Sequence, residues 1–232
     1  MKRVGFLTMV LAAAVAAGCG GNDRDQAATA EKTPGAVGTS GDSRDANIRA
    51  ADREFVRDVA IANMAEMDMA RMALQRASDA NVKKFAQMMV DDHSKAGSRL
   101  QTVVMQHHME MPVQVDEKHK DVADKLGKTK AGEFDREYAD AMVDGHQDFV
   151  DRLEARIDKD TLAAWKSKHV DPASGKKMEG KAEAMTVTAE KSDNPVTLGL
   201  NQWAAETYPV AFAHLQAAKD LQKGAKRRTT TP

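Results

Sequence analysis

The chain has 232 residues, a formal net charge of -1, a hydrophobic share of 42% against only 4% aromatic, and one cysteine. That charge balance supplies no basic face for nucleic acid, and a single cysteine excludes both an internal disulfide and a CxxC thiol-redox motif. With no Gly-rich phosphate loop and no Ser-His-Asp order, nucleotide-binding and hydrolase functions find no support either.

Residues 1–18 read as a signal peptide. Lys2 and Arg3 form a basic start, and Val4 to Val15 is an apolar run too short to span a bilayer. The run ends in Ala16-Ala17-Gly18-Cys19, which resembles the bacterial lipobox, although Ala16 stands where Leu is more usual. Cys19, the lone cysteine, is therefore the expected lipid anchor. Gly20 rather than Asp follows it, which favours an outer-membrane anchor facing the periplasm over an inner-membrane one. Residues 19–46 are rich in Gly, Ala, Thr, Ser and charge without an apolar period, the composition of a flexible tether.

From residue 47 the apolar positions repeat with helical spacing. The first long helix is predicted over Ile48–Ala77, rich in Ala and Met and free of Pro and Gly. Ser78 breaks the period and is a cap for a second helix over about Asp79–His108, an antiparallel neighbour of the first across so short a turn. Met111-Pro112 ends it, and Val115 to Leu126 forms a short amphipathic piece in the second crossover. A third long helix starts near Glu133 and runs at least to Ile157, with an extension through Trp165 to His169 left open. Pro172, Gly175 and Gly180 then mark an irregular insertion over about 170–193. Asn194-Pro195 starts the fourth helix, with a bend expected at Pro209 and a frayed tail over 225–232. Residues 47–224 are thus an all-α, four-helix bundle.

Each long helix carries one strong metal-type ligand in the middle of its apolar stripe. Glu66 lies among Phe55, Val59, Ala62, Met69 and Ala73, and His93 among Ala86, Met89, Ala96 and Leu100. His146 lies among Met142, Val143, Val150 and Leu153, and His214 among Leu200, Trp203, Val210 and Ala218. At 1.5 Å per residue, Glu66 and His93 both sit roughly 20 Å from the first turn, so they can meet. A buried carboxylate without a partner is expensive, whereas a neutral, paired histidine is not. Two readings follow: a metal-free polar network, or one transition metal (Zn, Fe, Mn or Cu) held by Glu66, His93, His146 and His214. Asp92 and Asp144 neighbour these residues and are expected outer partners. A separate run, Met105, His107, His108, Met109 and Met111, clusters soft ligands of the kind used in copper handling; its alternative is a Met-rich helix end.

Four motifs in order carry a family resemblance: Glu66-x-x-x-Ala70-x-x-Ala73-Leu74; Phe85-Ala86-x-Met88-Met89-Val90-Asp91-Asp92-His93; Phe134-Asp135-Arg136-Glu137-Tyr138 leading to Met142-Val143-x-x-His146; and Tyr208-Pro209 before His214-Leu215. Over Ala51 to about Leu221 the chain resembles the bacterial domain-of-unknown-function family 4142. The resemblance implies an exported, often lipid-anchored protein with a ferritin-like four-helix fold and no established reaction. Gly145 departs from that pattern, in which an acidic residue precedes the third-helix histidine. A di-iron centre is not expected, because the residues three before His93 and His214 are Val90 and Ala211 rather than glutamates. Three functions stay open: a non-catalytic or metal-binding envelope lipoprotein, a mononuclear-metal redox enzyme acting on peroxide or oxygen, and a structural lipoprotein that binds an envelope protein or a second copy of itself.

Overall fold

The structure, a computed structural model, describes residues 48–169 and 186–229. The chain divides into Met1–Thr39 and Ser40–Pro232, and all the described residues belong to the second unit. The expected signal peptide, Cys19, the tether, most of the 170–193 insertion and the last three residues lie outside them.

Six helices make up the described part: α1 (Ala50–Arg76), α2 (Ala80–Gln106), α3 (Glu117–Lys128), α4 (Ala131–Glu154), α5 (Lys159–His169) and α6 (Pro195–Thr229). Asp79, not Ser78, caps α2, accepting from the Asn81 N–H at 2.7 Å. Ser78 is used elsewhere: its hydroxyl and N–H, together with the Asp79 N–H, all donate to Asp135 at the start of α4. Asn194 caps α6 as its sequence predicts, accepting from the Thr197 N–H at 3.0 Å. The predicted third helix is two helices. It stops at Glu154, and Asp158 restarts it by accepting from the Thr161 N–H at 2.9 Å. Periodicity ran through this joint because Ile157 is itself buried. Residues 156–158 there pair with 188–190 through an isolated antiparallel bridge, Ile157 to Ala189. The final helix continues past its expected end at about Gln222, into the tail expected to fray from residue 225, as far as Thr229, with Ala225 buried.

Four long helices pack as a closed square. α1 packs on α2 and α4, and α6 packs on the other sides of the same two, leaving α1 and α6 diagonal. Cross-helix contacts fix the directions. Ser78 meets Asp135 at one end of the α1–α4 pair, and Asp58 meets Arg152 near the other, so these helices are antiparallel. Tyr208 with Glu154 and Gln222 with Asp140 set α6 antiparallel to α4, and Trp203 bonding the Ala96 carbonyl with His214 meeting Asp92 sets it antiparallel to α2. The order is up-down-down-up. The link from α2 to α4 must therefore travel the length of the bundle, and α3 does so across the α1–α4 side. Arg76 closes the C-terminal end of α3, donating to the carbonyls of Leu126, Gly127 and Thr129.

The apolar core is divided in two. Phe55, Val59, Leu100, Phe149, Leu153, Leu200 and Trp203 belong to one cluster; Met69, Ala73, Phe85, Met89, Tyr138, Met142 and Ala218 belong to the other. Between them lies a buried polar layer of Glu66, His93, His146 and His214. Val210, expected on the inner stripe of α6, faces outward at 42% exposure; Ala211 and Leu215 take the inner positions. At the end where α1 and α6 begin, buried Asp52 accepts from both Arg156 and Thr197, pinning three segments together. Among the described residues no helix is long and apolar enough to cross a membrane.

Candidate metal centre

His93, His146 and His214 are 3%, 0% and 3% exposed, and their ring centroids stand 5.5 to 5.7 Å apart. One nitrogen from each lies within 4.8 Å of the other two. One ring nitrogen of each is also held by a partner outside the trio. His146 Nδ1 lies 3.0 Å from the Met142 carbonyl, which can only accept, so Nδ1 carries the proton. His214 Nε2 lies 3.2 Å from Asp92 Oδ2, another acceptor. His93 Nδ1 lies 3.1 Å from Asn63 Oδ1, and the Asn63 amide nitrogen faces Met67 Sδ, an orientation that makes His93 Nδ1 the donor. All three protons thus point outward. The lone pairs left over are on His93 Nε2, His146 Nε2 and His214 Nδ1, and the last two have no hydrogen-bond partner.

Glu66 sits beside this trio rather than within it. Its Oε2 is 3.2 Å from His93 Nε2 and its Oε1 is 3.3 Å from His146 Nδ1, yet neither oxygen is in hydrogen-bond geometry with either ring. At His93 a bare imidazole nitrogen faces a carboxyl oxygen, a contact relieved by a proton on Glu66 or by a cation between them. Burial pushes the Glu66 carboxyl up to about 8 and His93 down to about 3. Burial also holds His146 and His214 below the ordinary imidazole range. Asp92 is pushed up by burial, but hydrogen bonds from Lys95 and His214 outweigh this and bring it below the usual carboxylate range. It serves as the outer partner its position beside His93 implies.

Two glycines make room for the layer. A Cβ on Gly145 would lie 2.8 Å from Glu66 Oε1, and one on Gly97 would lie 2.9 Å from Asn63 Nδ2. Glycine inside a helix costs about 1 kcal/mol against alanine, so both are positions where close approach is bought with helix stability. Gly145, odd in the sequence pattern, is explained by the carboxylate above it.

Asp144 is exposed and joins none of the three histidines; it lines a cavity of about 350 Å³ between α1, α3 and α4 that reaches Glu66. The Met105–Met111 run spans the end of α2 and is mixed in burial. Met105 is 66% exposed and His108 is exposed, while Met109 is buried and Met111 packs against the core. His107 leans toward Gly199 of α6, whose Cβ would stand 3.4 Å from Nε2. Three participants escaped sequence reasoning: Asn63, the Met142 carbonyl and Tyr138. Tyr138 is fully buried with an unpartnered hydroxyl, and burial, then the Glu66 charge, pushes its phenol up. Asn63 precedes Glu66 by three residues and Tyr138 precedes His146 by eight, so helical spacing carried a signal for both. No side-chain pattern marks a backbone carbonyl.

The protonation states make a pH dependence for the metal-free protein. The histidines have folded values below the ordinary 6.5, so the stability of keeping them neutral is present above that pH and lost as pH falls. Glu66 acts oppositely: raised from 4.5 to about 8, its contribution is present below 4.5 and lost as pH rises toward 8. Three imidazoles outweigh one carboxyl below about 6.5 and only Glu66 operates above it, so stability is expected to peak near pH 6.5. Urea denaturation from pH 5 to 8 measures this. In Glu66→Gln the decline above the peak should flatten; an unchanged decline would contradict the assignment.

No curated protein and no solved structure matches the chain. A family model described as Domain of unknown function (DUF4142) matches residues 37–171, a span that contains Glu66, His93 and His146 but ends before α6 and short of the Leu221 expected from the motifs. The chain belongs to that family.

Proposed function

We propose that this protein is a lipid-anchored, ferritin-like bundle of the cell envelope that binds one transition-metal ion at His93, His146 and His214, with Glu66 beside the ion. The single observation that carries the reading is the orientation of the three imidazoles. Each has one ring nitrogen against an outer acceptor, one nitrogen of each ring lies within 4.8 Å of the other two, and His146 Nε2 and His214 Nδ1 are buried with no hydrogen-bond partner. Metal-binding histidines are oriented in this way, and leaving such nitrogens unpaired without a cation is costly. Neutral imidazoles suit Zn²⁺, Cu²⁺ and Fe²⁺, and the neighbouring carboxylate adds charge compensation and widens the range to Mn²⁺. Up-down-down-up order with one long crossover supports the ferritin-like assignment.

Elemental analysis of protein purified without a histidine tag tests the centre. About one metal per chain is expected, falling below a tenth in His93→Ala/His146→Ala. Equal metal content in both, or no metal and no gain in thermal stability on adding Zn²⁺, Fe²⁺, Mn²⁺ or Cu²⁺, would remove it.

A second reading, a mononuclear redox enzyme, draws on the cavity that touches Glu66 and on a set of only three imidazoles, which is the donor number of catalytic sites. It requires peroxide or oxygen turnover that Glu66→Gln abolishes while metal content holds; metal-loaded protein without turnover would leave binding as the function.

Anchoring through Cys19 to the outer membrane, facing the periplasm, rests on the lipobox-like run and on Gly20. Cys19→Ser should abolish incorporation of labelled palmitate and release the protein from the membrane fraction. Retention of label in that variant would refute the anchor.

A further inference from the structure

The three histidines are buried, and none of them lines the cavity between α1, α3 and α4. Glu66 does. It is 2% exposed, both its oxygens lack hydrogen-bond partners, and it borders the cavity enclosed by α1, α4 and the crossover helix α3. Any ion bound by the imidazoles has to be reached from solvent, and this carboxylate stands between the cavity and the trio.

The cavity is acidic. Five carboxylates line it, from Asp58, Glu66, Asp116, Asp144 and Asp148, against the cations of Lys118 and Arg152. Most are already engaged: Asp58 with Arg152 at 2.6 Å, Asp116 with His119, and Asp148 with Lys118 at 4.0 Å. Among the described residues, Asp144 has no hydrogen bond or ion pair. An unpaired carboxylate on the cavity wall and an unpartnered buried one in its lining are two stations for a divalent cation. Gly145 lies in the same wall, and a Cβ there would stand 2.8 Å from Glu66 Oε1, so its missing side chain leaves room for the carboxyl. Val122 of α3, 38% exposed, covers the same space from the crossover side.

We propose that the cavity between α1, α3 and α4 is the cation's route to the histidine centre, with Asp144 capturing a divalent ion at the mouth and Glu66 passing it to the three imidazoles. The proposal rests on the metal-binding reading and adds to it a path and a covering residue. A covering residue changes the barrier without changing the free or the bound state, so it alters both rates alike and leaves affinity untouched. A steering charge at the mouth acts instead on the association rate.

The test is stopped-flow binding of Co²⁺ to the metal-stripped full chain, with dissociation followed by chelator capture. Val122→Trp is expected to slow association and dissociation together by roughly tenfold, about 1.4 kcal/mol of added barrier, at constant Kd. Val122→Ala should speed both and needs no tolerance of bulk. Asp144→Asn should lower the association rate by about fivefold at low ionic strength and less in salt, as expected for one charge acting on a divalent ion near 8 Å. Wild-type rates in a folded Val122→Trp, or unchanged exchange in Val122→Ala if the tryptophan variant does not fold, would overturn the route while Co²⁺ binding itself persists. Failure of the unmodified chain to bind Co²⁺ would instead overturn the metal centre and the route with it.

Discussion

Everything in this bundle turns on where three imidazole protons point. His93, His146 and His214 each donate outward, to Asn63, the Met142 carbonyl and Asp92, and this leaves His146 Nε2 and His214 Nδ1 as buried acceptors without a partner. Burial alone explains why the rings are neutral. It does not explain why buried nitrogens of His146 and His214 are left without a hydrogen-bond partner, an arrangement that is costly unless something positive lies near them. Glu66 sharpens the conflict, since a carboxylate in the same layer also lacks a hydrogen-bond partner and is held by burial toward its protonated form. A cation bound there would resolve both problems at once.

The fold serves that layer. An up-down-down-up square brings one polar residue from each long helix to a common height, with apolar clusters on either side that exclude water. Asp135 ties the α1–α2 turn to α4, while Asp52, Arg156 and Thr197 fix the opposite end. With both ends clamped, the helices cannot slide past one another and the layer keeps its register. The long crossover that this order demands places α3 over the α1–α4 side, where Gly145 leaves room for the Glu66 carboxyl. A topological necessity thereby becomes a cover for a buried carboxyl that a cavity reaches.

Much of this was legible in one dimension. A period of 3.6 identifies which side of a helix is buried, and residue counts from a short turn give height, so Glu66 and His93 could be paired from spacing alone. What spacing lacks is side-chain reach and azimuth beyond one helix. It therefore grouped Glu66 with the three histidines as a fourth ligand, whereas the structure sets it against the edge of the trio. The Met142 carbonyl is invisible to any reading of side chains, and the break after Glu154 was hidden because Ile157 keeps the apolar rhythm across it. Gly145 looked like a defect in a motif, and only the 2.8 Å approach of Glu66 Oε1 gives it a reason. The soft-ligand run at Met105–Met111 spans the end of α2, where exposed Met105 and His108 alternate with buried Met109.

The most direct test is anomalous diffraction from crystals of the protein soaked in Zn²⁺, recorded on either side of the zinc absorption edge. The expected result is one peak bonded to His93 Nε2, His146 Nε2 and His214 Nδ1, with Asn63, the Met142 carbonyl and Asp92 still accepting from the opposite nitrogens. Absence of a peak between these three rings, with any zinc found only on surface carboxylates or at the Met105–Met111 helix end, would contradict the account.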